Sequence, residues 1–208
     1  MTVLTDRNTD SVTVSPTILA RVPFGDPGAL GLAAFALTTF MLSLTNAHII
    51  IGAEAAVVGL ALFYGGIAQV IAGLWEFANN NAFGGTAFVS YGAFWLSFWW
   101  LLTHPEAIKA AGPAGIGAYL LVWAIFTAYM TIASLATNGA IAAVFIALTI
   151  TFFTLATGAF TGTAAISQLG GWLGLATALL AWYASAASII NATWKRPVLP
   201  VFPSRIGN

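Results

Sequence analysis

Residues 63–77 read FYGGIAQVIAGLWEF, and the fold turns on what this stretch faces. It is apolar enough to lie in lipid, yet it holds two adjacent glycines, a glutamine and a glutamate. At about 100° per residue, Gly65, Gln69, Ala72, Gly73 and Glu76 share one side of a helix. Phe63, Ile67, Val70, Ile71, Leu74 and Phe77 take the other. Lipid receives the second set, and protein or water receives the first. Small residues at this spacing let helices pack closely, and Gln69 can bridge two helices. Lining a solute path is an equally good use of the face, and the two uses are compatible.

The rest of the chain supplies the same setting. Of 208 residues, 60% are hydrophobic and only 6% charged, against roughly 25% charged in soluble domains. A membrane-spanning helix needs ~20 mainly apolar residues, and six such stretches occur, at about 29–48, 55–77, 84–103, 116–136, 140–157 and 169–192. The expected fold is therefore an all-α membrane protein of six transmembrane helices. Residues 26–193 form the membrane domain, 1–25 a polar N-terminal tail and 194–208 a second tail. Six spans put both ends on one side, together with Arg7, Arg21, Lys195, Arg196 and Arg205, leaving Lys109 opposite. The positive-inside rule places that basic side, and both termini, in the cytoplasm.

Several functions are excluded by what is missing. No basic cluster exceeds Lys195-Arg196, so nucleic acid has nothing to grip. Without cysteine there are no disulfides or thiolate metal sites. His48 and His104 fall at span ends with no acidic partner at metal spacing, so no metal or other cofactor is expected. Neither Lys109 nor Lys195 lies within a span, which rules out a Schiff-base chromophore. No hydrolase triad is in evidence, and no enzyme activity is expected.

The chain also repeats itself. AFGGTAFVSYGAFWLSF (82–98) lies over AFTGTAAISQLGGWLGL (159–175) without a gap, with Ala82, Phe83, Gly85, Thr86, Ala87, Ser90, Trp95 and Leu96 recurring. Each unit then holds three spans, an odd number, so the second must be inverted relative to the first. A 3+3 inverted repeat is typical of transporters, whose substrate passes between the halves near the midplane. No Lys or Arg lies within a span, so a permeating anion would rely on hydroxyls, amides and helix N-termini. AFGGTA and AFTGTA are read as opening spans three and six, with Thr86 and Thr163 available. Glu76 is the one acidic residue well inside a span, and intramembrane carboxylates are functional candidates because burial is costly.

These stretches resemble the acetate uptake transporter family. Its signature, Asn-Pro-Ala-Pro-Leu-Gly-Leu, appears here as Asp26-Pro27-Gly28-Ala29-Leu30-Gly31-Leu32, and FYGGIAQVIAGLWEF and NAFGGTAFVSYGAFWLSF follow the family pattern more closely. The resemblance implies a homo-hexamer in the cell membrane, each protomer carrying its own path. It also implies an apolar constriction from one Phe, one Tyr and one Leu, mapping onto Phe35, Tyr91 and Leu148. Family members move acetate and related short carboxylates, some also succinate, inward with protons. An apolar collar disfavours a bare carboxylate through its desolvation cost, and a co-moving proton relieves that cost.

The reading is a carrier or channel for acetate and similar monocarboxylates. Asn46, Tyr64, Gln69, Thr86, Asn138 and Thr163 offer hydrogen bonds to substrate, and Glu76 is the proton-coupling candidate. The alternatives are a passive hexameric channel for small neutral solutes such as urea or amides, and a non-transporting acetate sensor. The short tails argue against the sensor.

Overall fold

A computed structural model describes residues 25–204, so Arg7, Arg21 and Arg205 lie outside the described residues. Each expected span is a helix: α1 is Gly28–Asn46, α2 Glu54–Ala78, α3 Ala82–Thr103, α4 Pro105–Ser134, α5 Gly139–Thr161 and α6 Ala164–Trp194. Five of them are long and apolar enough to cross a membrane. The other, α3, has the length, but Ser90, Tyr91, Ser97 and three tryptophans make it less apolar, and it buries much of its surface against its neighbours.

Local chemistry sets the ends. Asn81 caps α3, its side-chain oxygen accepting from the Gly84 N–H at 3.0 Å, and Asn138 caps α5 through Ile141 N–H at 3.0 Å. Gly162 closes α5 in the left-handed conformation, φ 64°. Asp26 Oδ1 accepts from the Gly28 N–H at 2.8 Å, just ahead of α1.

Two expectations change. The stretch between the third and fourth expected spans, HPEAIKAAGP (104–113), is largely helical: Pro105 and Glu106 suit a first turn, and the helix breaks only at Gly112, φ 60°, before Pro113. AFTGTA does not open α6. Its first residues finish α5, and Thr163 is the residue preceding α6, making no side-chain cap.

The helices pack in a ring, each against the next and α6 against α1. The α3–α4 backbones are only loosely apposed, and the gap is filled by Phe94, Phe98, Tyr119, Trp123 and Phe126. The repeat shows in the tight crossings. A Cβ at Gly73 would strike Val89 of the next helix, as one at Gly158 would strike Ser167; Gly92 meets Val70 as Gly170 meets Leu155. The step from Val89 to Ser167 equals that from Gly92 to Gly170, so one register relates α3 to α6. That register pairs Gly92 with Gly170, one residue beyond the Leu169 that sequence identity alone chose.

Candidate solute path

The sided reading of residues 63–77 holds. Gly65, Gln69, Ala72, Gly73 and Glu76 are buried, whereas Phe63, Ile67, Ile71, Leu74 and Phe77 are exposed. What the pattern did not reveal is a π-helical turn over Phe63–Ala68, in which the Gln69 N–H reaches back to the Tyr64 carbonyl. Such turns are rare and concentrate at functional sites. This one delivers Gln69 into the ring.

Three cavities follow one another along the ring. At the end where α1 begins is a vestibule of about 350 Å³, whose polar groups include Asp26, Glu76, Asn81, Asn138, Ser188 and Asn191. Next comes a waist of about 20 Å³ between Leu32, Phe35, Gln69, Tyr91, Phe145 and Leu148. Beyond it lies a chamber of about 290 Å³, reaching Asn46 at the far end of α1. Vestibule and waist share Leu32 and Phe88; waist and chamber share Phe35 and Leu148. The chamber in turn shares Asn46 and Ser167 with an outer cleft that also includes His48 and Glu54. The waist has room for about one water, the smallest occupant a cavity admits.

Phe35, Tyr91 and Leu148 therefore meet at one point, on three different helices, with the Phe35 and Tyr91 ring centroids 5.8 Å apart. The Tyr91 hydroxyl donates to Thr127 Oγ1 at 3.0 Å, and Thr127 donates onward to the Trp123 carbonyl at 2.7 Å. The phenol proton is thus committed away from the waist. Gln69 is 0% exposed, and neither its Oε1 nor its Nε2 has a hydrogen-bond partner. Leaving a buried polar group unmade costs about 1–3 kcal/mol. Thr39 Oγ1 and Trp95 Nε1, on residues lining the chamber, are likewise buried and unpaired.

Glu76 is 5% exposed, and its Oε2 accepts from Asn81 Nδ2 at 2.8 Å. Asp26 accepts from Ser188 at 2.7 Å. A Cβ on Gly28 would sit 2.9 Å from Asp26 Oδ1 and 3.2 Å from Glu76 Oε1, so the two carboxylates flank that glycine. Among the described residues, no lysine or arginine lines the vestibule.

Other candidates separate. Asn46 lines the chamber, and Asn138 lines the vestibule while capping α5. Tyr64 and Thr86 are half-buried and Thr163 exposed, and none lines the vestibule, waist or chamber. In the signature stretch, Leu32 joins vestibule to waist, Gly31 makes room for the Phe88 ring, and Leu30 points outward. Pro27 sits half-buried at the start of α1. Thr39 and Ser43 were missed. They continue the spacing from Phe35 at every fourth residue, a helical stripe that was there to be read.

Comparison with known proteins places this architecture. Residues 11–204 match the GPR1/FUN34/yaaH family. The chain is 36% identical over 185 residues to the succinate-acetate/proton symporter SatP of Escherichia coli, covering 88% of this chain and 98% of that one. It is 42% identical over 189 residues to the ammonia transport outward protein 2 of Saccharomyces cerevisiae, covering 86% of this chain and 66% of that longer protein. A solved structure of the bacterial acetate channel SatP superposes with a TM-score of 0.82 at 37% identity, over 86% of this chain and 99% of that one. The six-helix ring, its cavities and the matched sequence agree: the chain belongs to the GPR1/FUN34/yaaH family.

Proposed function

We propose that the protein moves acetate and similarly small monocarboxylates across the cell membrane, with protons, through the path inside each protomer. The observation that carries this reading is the unbroken sequence of vestibule, waist and chamber, joined by shared lining residues. Phe35, Tyr91 and Leu148 form the selective collar, and Gln69 and Asn46 supply hydrogen bonds. Glu76, with Asp26 beside it, holds protons at the mouth. The kinship with SatP supports a short carboxylate as substrate. Positive-inside counting supports cytoplasmic termini. The family resemblance supports a homo-hexamer, for which exposed Val122, Ile125, Tyr129 and Ile132 on α4 provide apolar surface.

Labelled acetate in proteoliposomes tests the reading. Accumulation driven by an inward proton gradient is the expected result. Equal, gradient-independent flux of urea and acetate would instead establish a passive channel for small solutes. Glu76→Gln is expected to flatten the pH dependence of uptake; an unchanged profile at normal reconstitution removes Glu76 from coupling.

A further inference from the structure

We infer that the species passing the waist is the neutral carboxylic acid, and that the Gln69 amide selects it by pairing with both oxygens at once. This rests on the proposed carboxylate path and specifies the protonation state that the path accepts.

The waist offers a passing solute little else. Leu32, Phe35, Ala87, Phe88, Val144, Phe145 and Leu148 are apolar there. The Tyr91 hydroxyl donates to Thr127, whose own hydroxyl donates to the Trp123 carbonyl, so the phenol has only acceptor capacity left. Among the described residues that line the waist, Gln69 alone carries an unpaired side-chain donor, and its equally unpaired acceptor lies in the same rigid plane. A primary amide and a carboxylic acid are complementary in this geometry: the acid O–H donates to Oε1 while its carbonyl accepts from Nε2. A carboxylate could use only Nε2. It would leave Oε1 unpaired and face both Oε1 and the Tyr91 oxygen with like partial charge. Among the described residues, no lysine or arginine lines the waist to offset the desolvation of an anion. The neutral acid pairs fully and incurs no charge-desolvation cost. The proton is then carried on the substrate through the narrowest point, and no residue at the waist has to titrate. The Asp26–Glu76 mouth, which repels anions, exchanges protons with the substrate before entry.

Voltage distinguishes the two species. In proteoliposomes held at equal pH on both sides, a 100 mV diffusion potential would shift the equilibrium distribution of a monovalent anion about 50-fold. Protein-dependent acetate flux, corrected for empty vesicles, is expected to ignore that potential. It should also fall as the pH rises above the acid's own pKa at fixed total acetate, with Glu76 at the mouth supplying the proton on entry. Methanesulfonate, an acetate-sized anion with no neutral form in this range, should not pass, while acetamide, which offers the same donor–acceptor pair, should. Gln69→Met keeps length and bulk without hydrogen bonds, and is expected to lower the acetic acid flux at least tenfold and abolish the preference for acetamide over a similar-sized ketone. Voltage-driven acetate accumulation, or methanesulfonate passing as fast as acetate, overturns the inference in the unaltered protein, whatever the variant does. Unchanged selectivity in Gln69→Met overturns the role of Gln69. Absence of saturable acetate flux at any pH would sink the transport reading itself, an outcome distinct from each of these.

Discussion

At the residue scale, Tyr91 is held by a chain rather than by one bond. Its hydroxyl leans on Thr127, which leans on the α4 backbone at Trp123, and Thr127 is itself 0% exposed. Thr127→Val preserves shape but leaves the buried phenol without an acceptor, a loss of about 1–3 kcal/mol. We expect the melting temperature in detergent to fall by roughly 3–10 °C, with Thr127→Ser close to the parent; a Val variant that melts like the parent removes this bond from the account. Leu148 is a different kind of residue, since it bounds both waist and chamber. Shortening it to alanine widens the narrowest point on one side. A methylene is worth about 1–3 kcal/mol of discrimination in a tight apolar site, so Leu148→Ala is expected to raise the butyrate-to-acetate flux ratio about tenfold. An unchanged ratio would place the size filter elsewhere.

At the scale of elements, α2 shows what a sequence discloses and what it withholds. Its two faces are legible because burial follows side-chain type at a fixed angular step. The π turn at Phe63–Ala68 is not, because that step is an assumption and the turn is where it fails. Tyr64 was drawn into the candidate path by its hydroxyl, but its place in the π turn leaves it away from the cavities. AFTGTA misled similarly: composition matched AFGGTA, while the left-handed Gly162 put the helix end in the middle of it. The α2–α3 crossing gives a sharper test of element packing. At Gly73 a Cβ would lie 2.6 Å from the Val89 backbone nitrogen, whereas at Gly59, on the same helix, nothing lies within 4 Å. Gly73→Val is expected to destabilise by about 1–3 kcal/mol or more through overpacking and to lower flux. Gly59→Val should leave both near the parent values. Equal thermal melts for the two variants would contradict the close crossing.

At the scale of the whole molecule, α4 and α5 pack closely and are linked by a short joint, and a segment expected as a plain tail lies across that joint. Residues 197–204 run back from α6 to the Thr137-Asn138-Gly139 joint, where Gly139 N–H donates to the Phe202 carbonyl at 2.7 Å and Ala140 N–H to Val201 at 3.2 Å. Ser204 Oγ reaches the Leu135 carbonyl at 2.7 Å. Val201 then forms part of the vestibule lining. The pairing at the joint was not legible, because it is made through backbone groups that every residue possesses, whereas hydropathy reads only side chains. One side chain concentrates the anchoring: Asn191 accepts from the Val198 and Leu199 N–H groups at 2.7 and 2.9 Å and donates to the Leu199 carbonyl at 2.8 Å. Asn191→Ala removes all three bonds at once without touching the joint itself. With a net loss of about 1–3 kcal/mol, opening of the strap becomes roughly 5–150 times more frequent at equilibrium. Amide hydrogen exchange at 198–204 should accelerate by that factor while the middle of α6 exchanges as before. If the strap amides stay as protected as in the parent, the remaining bonds, to the joint, to Leu135 and from Tyr183, hold the segment and Asn191 is incidental to it.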